Sequence, residues 1–182
     1  MNENATGRLW TLLDRYVTRA VPDLFASNDL ALTVSPESPS DQGYNFAGII
    51  GFVGDLSGTL LVGTCSELLR GCHPARKRGG EIAASMQLDW IGELANQIMG
   101  PVSIRLAAHD LQLDFSPPIS VMGERMRHLA STGQTFRAAF QSPLGNVRIW
   151  IDADLSEAVV DKKGFYEDPP EGDGPEGTLI MF

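Results

Sequence analysis

The chain has 182 residues, 43% of them apolar, enough for one sizeable buried core and a single domain. Against 23 acidic residues stand 14 basic ones, a formal charge of -9 that repels nucleic acid and anionic membrane and leaves a protein or a small molecule as the partner. No apolar run approaches the length that crosses a bilayer, and MNENATGRLW lacks the basic start and apolar centre of a secretory signal, so a cytoplasmic location is expected.

From the N-terminus, Leu9, Leu12, Leu13, Tyr16, Val17 and Ala20 recur at helical spacing and predict an amphipathic helix over residues 6–20, with Pro22 close to its end. Residues 30–43 contain Pro36 and Pro39 and read as a loop after a short strand at 30–34. Residues 46–53 and 57–62 are strand-like, rich in Ile, Val and Leu, and Gly54-Asp55 between them makes a hairpin turn. Thr64 and Glu67 have capping-box spacing and open a short helix over 66–72, which Gly71 and Pro74 close. Cys65 and Cys72 match no common zinc arrangement, so no metal site is expected, and the pair reads as reduced thiols. The basic trio Arg76, Lys77 and Arg78 has two readings, an exposed loop or a device that steers an acidic partner.

The segment EIAASMQLDWIGELANQIMG, residues 81–100, is the strongest helical pattern in the chain. At about 100° per residue, Asp89, Glu93 and Asn96 share one narrow wedge of its surface, while Leu88, Ile91, Leu94, Ala95 and Ile98 gather opposite. Gly92 lies beside the polar wedge, where glycine costs roughly 1 kcal/mol of helix stability relative to alanine, so something is expected to approach closely there. Gly100 and Pro101 end or kink the helix, and residues 102–108 form a further helical piece. Leu111, Leu113 and Phe115 alternate as a strand that Pro117-Pro118 must stop. Residues 119–122, 135–141 and 146–152 are further strands, the last two joined through Leu144-Gly145-Asn146. Hairpins with helices grouped between them predict an α+β domain, a largely antiparallel sheet packed against helices, over residues 1–160. Residues 161–182 form an acidic tail interrupted by Pro169, Pro170 and Pro175, disordered by composition, with an apolar tip at 177–182 that either docks or frays.

The chain has no G-x-S-x-G, no P-loop, no dinucleotide fingerprint and no histidine-rich metal pattern. His73, His109 and His128 fall on predicted loops or helix ends and read as exposed polar residues. By itself the Asp89–Glu93–Asn96 wedge is a solvated helix face.

Asp89-x3-Glu93-x2-Asn96, followed after a strand by Ser116-Pro117-Pro118, resembles the signature of the chemotaxis phosphatases of the CheX, CheC and FliY type, with CheX the nearest. The hairpin GFVGDLSGTLLVG before it and LQLDFSPPISVMGE after it stand in the family's order, and the resemblance covers residues 47–155. It implies the CheC/CheX-like fold and activity on the aspartyl phosphate of a CheY-like response regulator. Glu93 and Asn96 would be catalytic, Asn96 orienting the attacking water and Glu93 pairing with the regulator's active-site lysine. Asp89 and Gly92 would join them in binding the partner. The family implies a homodimer and no cofactor beyond the Mg2+ of the regulator. A non-catalytic adaptor that binds a regulator, or another signalling protein, through the same helix is the second reading.

Overall fold

A computed structural model of the chain describes residues 3–35, 43–129 and 135–168. Helix α1 (Glu3–Ser27) leads into a two-residue strand β1 (Thr33–Val34). The hairpin of β2 (Tyr44–Gly54) and β3 (Leu56–Thr64) follows, then the short helix α2 (Ser66–Cys72), a 3-10 helix (Pro74–Arg78) and the long helix α3 (Ala84–Ala107). Strands β4 (Leu113–Phe115), β5 (Ile119–Met126), β6 (Thr135–Ser142) and β7 (Gly145–Leu155) complete the sheet, and a 3-10 helix (Glu157–Asp161) and α4 (Lys163–Tyr166) close the described chain.

All seven strands form one antiparallel sheet in the order β1-β6-β7-β3-β2, with β4 and β5 sharing the outer edge of β2. This is the α+β architecture expected from the hairpins. Period-two alternation sends Phe46, Ile50 and Phe52 of β2, Leu60 and Val62 of β3, and Ile149 and Ile151 of β7 into the main core under the helices. On the opposite face Tyr44, Ala47, Leu61 and Trp150 make a smaller cluster, against which Met126 packs and His128 stacks.

Both long helices run further than the sequence suggests. Pro22 lies inside α1 and Pro101 inside α3, each removing one backbone hydrogen bond, an interior cost of about 3 kcal/mol for an isolated helix. The apolar stripes continue past them, through the buried Phe25 in α1 and Val102 and Leu106 in α3, and that tertiary burial offsets the break. Of the two outcomes expected at Gly100-Pro101, an end or a kink, the helix does not end there, and the piece at 102–108 is its continuation. The expected capping box also fails. The N-cap of α2 is Cys65, and the Thr64 hydroxyl instead donates to the Asn146 carbonyl at 2.8 Å.

Residues 161–168, expected as the start of a disordered tail, pack on the domain. Phe165 is fully buried, Lys162 pairs with Asp55 at 2.7 Å and donates to the Asp110 carbonyl at 2.8 Å, and Asp168 pairs with Arg8 and Arg15 of α1. Residues 161–168 are thus held on the domain, because one aromatic anchor and complementary charges outweigh their acidic composition. The apolar tip expected at 177–182, and most of the loop expected at 30–43, lie outside the described residues. His109, expected to be exposed, is buried: Nδ1 donates to the Glu167 carbonyl at 2.9 Å, and the Tyr16 hydroxyl lies 2.6 Å from Nε2. Among the described residues no helix is long and apolar enough to cross a membrane.

Candidate functional site

The site is built on α3. Its packed side buries Ile91, Leu94, Ala95 and Ile98 and half-buries Leu88, as the periodicity requires. The backbone of α3 comes down directly on β2 at Gly48, where an added Cβ would lie 2.4 Å from the Ile91 carbonyl oxygen. Such close seating fixes the height and rotation of the helix, and with them the direction of its outer side. That side presents Asp89, Glu93 and Asn96, all exposed. Glu93 Oε1 accepts a hydrogen bond from Gln97 Nε2 at 2.6 Å, while the Asp89 carboxylate and the Asn96 amide have no partner among the described residues. The structure thus brings three sequence-predicted polar residues together on one solvent-facing ridge.

Gly92, the fourth expected site residue, is buried. An added Cβ would lie 2.7 Å from Ser120 Oγ and 3.7 Å from two ring carbons of Pro118. The close approach is real, but it comes from this chain's own edge strand. Gly92 thus lets β5 of this chain pack beside the ridge.

That edge explains the two prolines. β4 pairs with residues 52–54 of β2 and β5 with residues 44–49, so Ser116, Pro117 and Pro118 bridge two halves of one interrupted edge strand. Ser116 N donates to the Gly51 carbonyl at 2.9 Å and Ser116 Oγ accepts from Gly51 N at 3.0 Å, so a side chain replaces the ladder where the prolines have no N–H.

On the other flank, Trp90 is buried and its indole N–H donates to Cys72 Sγ at 3.3 Å. Burial pushes the Cys72 thiol up, only partly countered by the Trp90 hydrogen bond, so this cysteine is a packing residue and not a nucleophile. His73 stands 5.6 Å from Trp90 ring to ring, and its Nδ1 caps the following 3-10 helix by accepting from Ala75 N at 3.0 Å. The basic trio is partly consumed within the chain: Arg76 donates to the Gly71 carbonyl at 2.6 Å, and Lys77 pairs with Asp29 at 2.7 Å.

Beside the ridge, Gln97 is a residue that sequence reasoning passed over, and His73, read there as exposed, is half-buried. Gln97 was legible as the i+4 neighbour of Glu93 on a helix. His73 was not, since its contact with Trp90 depends on how the 3-10 helix folds back.

A comparison with curated proteins finds no match. Among solved structures, the chain superposes on a CheC-like superfamily protein from Shewanella sp. PV-4 with a TM-score of 0.68 at 20% identity, covering 79% of this chain and 97% of that one. CheX from Vibrio vulnificus gives 0.67 at 21% identity over 77% and 95%. CheX of Borrelia burgdorferi, in its complex with CheY, BeF3 and Mg2+, gives 0.58 at 18% identity over 78% and 94%. These likenesses establish the fold. The family model for chemotaxis phosphatase CheX matches residues 46–141, more than half of the chain, from β2 to β6 with the whole of α3 between them. A sheet of this topology, a ridge of Asp, Glu and Asn on the helix that crosses it, and a sequence match running through both have one common account: the chain belongs to the CheX family of chemotaxis phosphatases.

Proposed function

We propose that the chain hydrolyses the aspartyl phosphate of a CheY-like receiver domain by laying the exposed ridge of α3 over the receiver's phosphorylation pocket. The observation that carries this reading is the grouping of Asp89, Glu93 and Asn96 on one solvent-facing wedge, with the Asn96 amide unengaged among the described residues. The complex of Borrelia burgdorferi CheX with CheY, BeF3 and Mg2+ supports the choice of partner.

An aspartyl phosphate is already a reactive acyl phosphate, and the receiver's own magnesium ion neutralises its phosphoryl oxygens. What remains is to place a water in line with phosphorus and to exclude other geometries. Asn96 accepts a hydrogen bond from that water through its amide oxygen and so aims the water's lone pair at phosphorus. The new P–O bond forms as the bond to the aspartyl oxygen breaks, releasing inorganic phosphate and regenerating the receiver's carboxylate. Glu93 pairs with the active-site lysine of the receiver and fixes the helix over the pocket; Asp89 contributes to docking. The chain brings no cofactor of its own to this reaction, and it acts as a homodimer, which its mass in solution tests.

The deciding experiment incubates the purified chain with phosphorylated receiver domains and follows phosphate release. Asn96→Ala is expected to abolish release while receiver affinity stays within about twofold of the original. Release that is absent for every receiver tried, or unchanged by Asn96→Ala, overturns the enzymatic reading; binding without release identifies an adaptor.

A further inference from the structure

Beside the ridge, on the flank away from β5, lies a groove of about 420 Å3 lined by His73, Met86, Asp89, Trp90 and Glu93. Its walls are held in place. The Trp90 indole is tied to Cys72 and is only 8% exposed, and the His73 ring is tied to the backbone of Ala75 through Nδ1. Because Nδ1 accepts, the neutral His73 ring carries its proton on Nε2. Met86 adds a half-buried, polarisable thioether. At the lip stand two carboxylates one helical turn apart, Asp89 and Glu93, and neither is paired with a cation among the described residues. Two cations of the adjoining 3-10 helix are used elsewhere, Lys77 on Asp29 and Arg76 on the Gly71 carbonyl.

An apolar and aromatic wall with an unneutralised acidic lip has a complementary ligand: a long aliphatic stem that ends in a positive charge. The stem of an arginine or lysine covers Met86 and the edge of Trp90, and its head reaches the carboxylates at the rim. We propose that this groove seats a second basic side chain of the receiver, one outside the phosphorylation pocket, with Asp89 as its counter-ion. The ridge then grips its partner at two points. Glu93 holds the phosphoryl end, where Asn96 aims the water, and Asp89 with the groove holds the receiver's surface one turn earlier in α3. The second grip selects among receivers, since all of them share the phosphorylation chemistry while their surface charges differ. The inference rests on the proposed partner class and deepens it.

The test uses the full chain and a receiver domain held in its active form by beryllofluoride and magnesium. Asp89→Lys is expected to weaken binding roughly tenfold or more, and Asp89→Asn to weaken it less and flatten its dependence on salt. Changing one basic surface residue of the receiver to Glu should restore binding of Asp89→Lys to within about threefold of the original pair, a rescue that a merely structural role could not give. Affinity of Asp89→Lys within about twofold of the original, or no receiver charge reversal that rescues it, overturns the groove proposal. Phosphate release and its dependence on Asn96 are measured separately, so the groove can fail while the phosphatase reading stands. A chain that binds no receiver at all overturns both.

Discussion

At the scale of single residues, the decisive feature of Glu93 is that among the described residues only one of its oxygens is used. Gln97 donates to Oε1 at 2.6 Å, which orients the carboxylate, and Oε2 has no partner among the described residues. Glu93→Gln keeps the shape and removes the charge, which on the proposed mechanism leaves the receiver's lysine in the interface without its counter-ion. We expect weaker receiver binding, by roughly tenfold or more, together with slower phosphate release. Titration calorimetry against the beryllofluoride-bound receiver and a turnover assay on the phosphorylated one check this, and unchanged affinity and rate would remove Glu93 from the mechanism. The placement of Asp89, Glu93 and Asn96 on one outward wedge was legible in the sequence because it needs nothing but the helical period and an apolar stripe opposite. The setting of Gly92 was not. Its glycine signalled a close neighbour, but the neighbours, Pro118 and Ser120, arrive from a strand whose pairing with β2 no local pattern specifies.

Among the elements, the contact that positions the site is α3 on β2, and it depends on a glycine in the strand. At Gly48 an added Cβ would meet the Ile91 carbonyl oxygen at 2.4 Å and the Ala95 Cβ at 3.0 Å, so a backbone would have to give way. Gly48→Ala is expected to destabilise the fold by about 1–3 kcal/mol through overpacking and to lower phosphate release by lifting the ridge. At Gly92 the nearest atom is a serine hydroxyl that can rotate, and a gain in helix propensity of roughly 1 kcal/mol acts in the other direction, so Gly92→Ala should leave stability nearly unchanged. Denaturant melts of the two variants decide the contrast; equal losses would mean that β5 constrains α3 as rigidly as β2 does. The hairpins and the two long helices were legible from alternation, turn residues and the 3.6-residue period. The helix ends were misread because proline is a local signal, whereas the burial of Phe25, Val102 and Leu106 that carries the helices past it is a tertiary one. The failure at Thr64 is of the same kind, a hydroxyl claimed by a distant carbonyl before it can cap a helix.

For the whole molecule, the segment that ends the described chain acts as a clasp across the back of the helical layer, and its attachments respond to pH. Lys162 binds Asp55 in the turn of the first hairpin, Phe165 fills the core, Asp168 meets Arg8 and Arg15, and His109 at the end of α3 holds the Glu167 carbonyl. None of this was legible from composition, which averages over acidic residues and misses the one aromatic anchor among them. Burial pushes His109 below its ordinary value of 6.5, and the nearby Arg8 pushes it further, while the hydrogen bond to Glu167 and the charge of Asp168 oppose them without reversing the net direction. With its folded value lowered, His109 is held neutral where the unfolded chain already binds a proton. Its contribution is therefore complete above about pH 6.5 and is lost as the pH falls toward the folded value. For Asp55, burial alone would raise the carboxyl, but the Gln112 N–H and the Lys162 ammonium outweigh it and lower it, so its contribution is present above about pH 4 and is lost only in stronger acid. The two groups thus act in separate windows. The melting temperature should fall as the pH is taken from about 7.5 to about 5.5, and His109→Phe should flatten that fall while lowering the melting temperature at the upper pH, because Tyr16 and the Glu167 carbonyl lose their partner. Lys162→Met should leave the slope in that range intact and lower stability throughout it, since Asp55 stays charged there with one partner fewer. A slope that persists undiminished in His109→Phe would place the acid response outside the clasp.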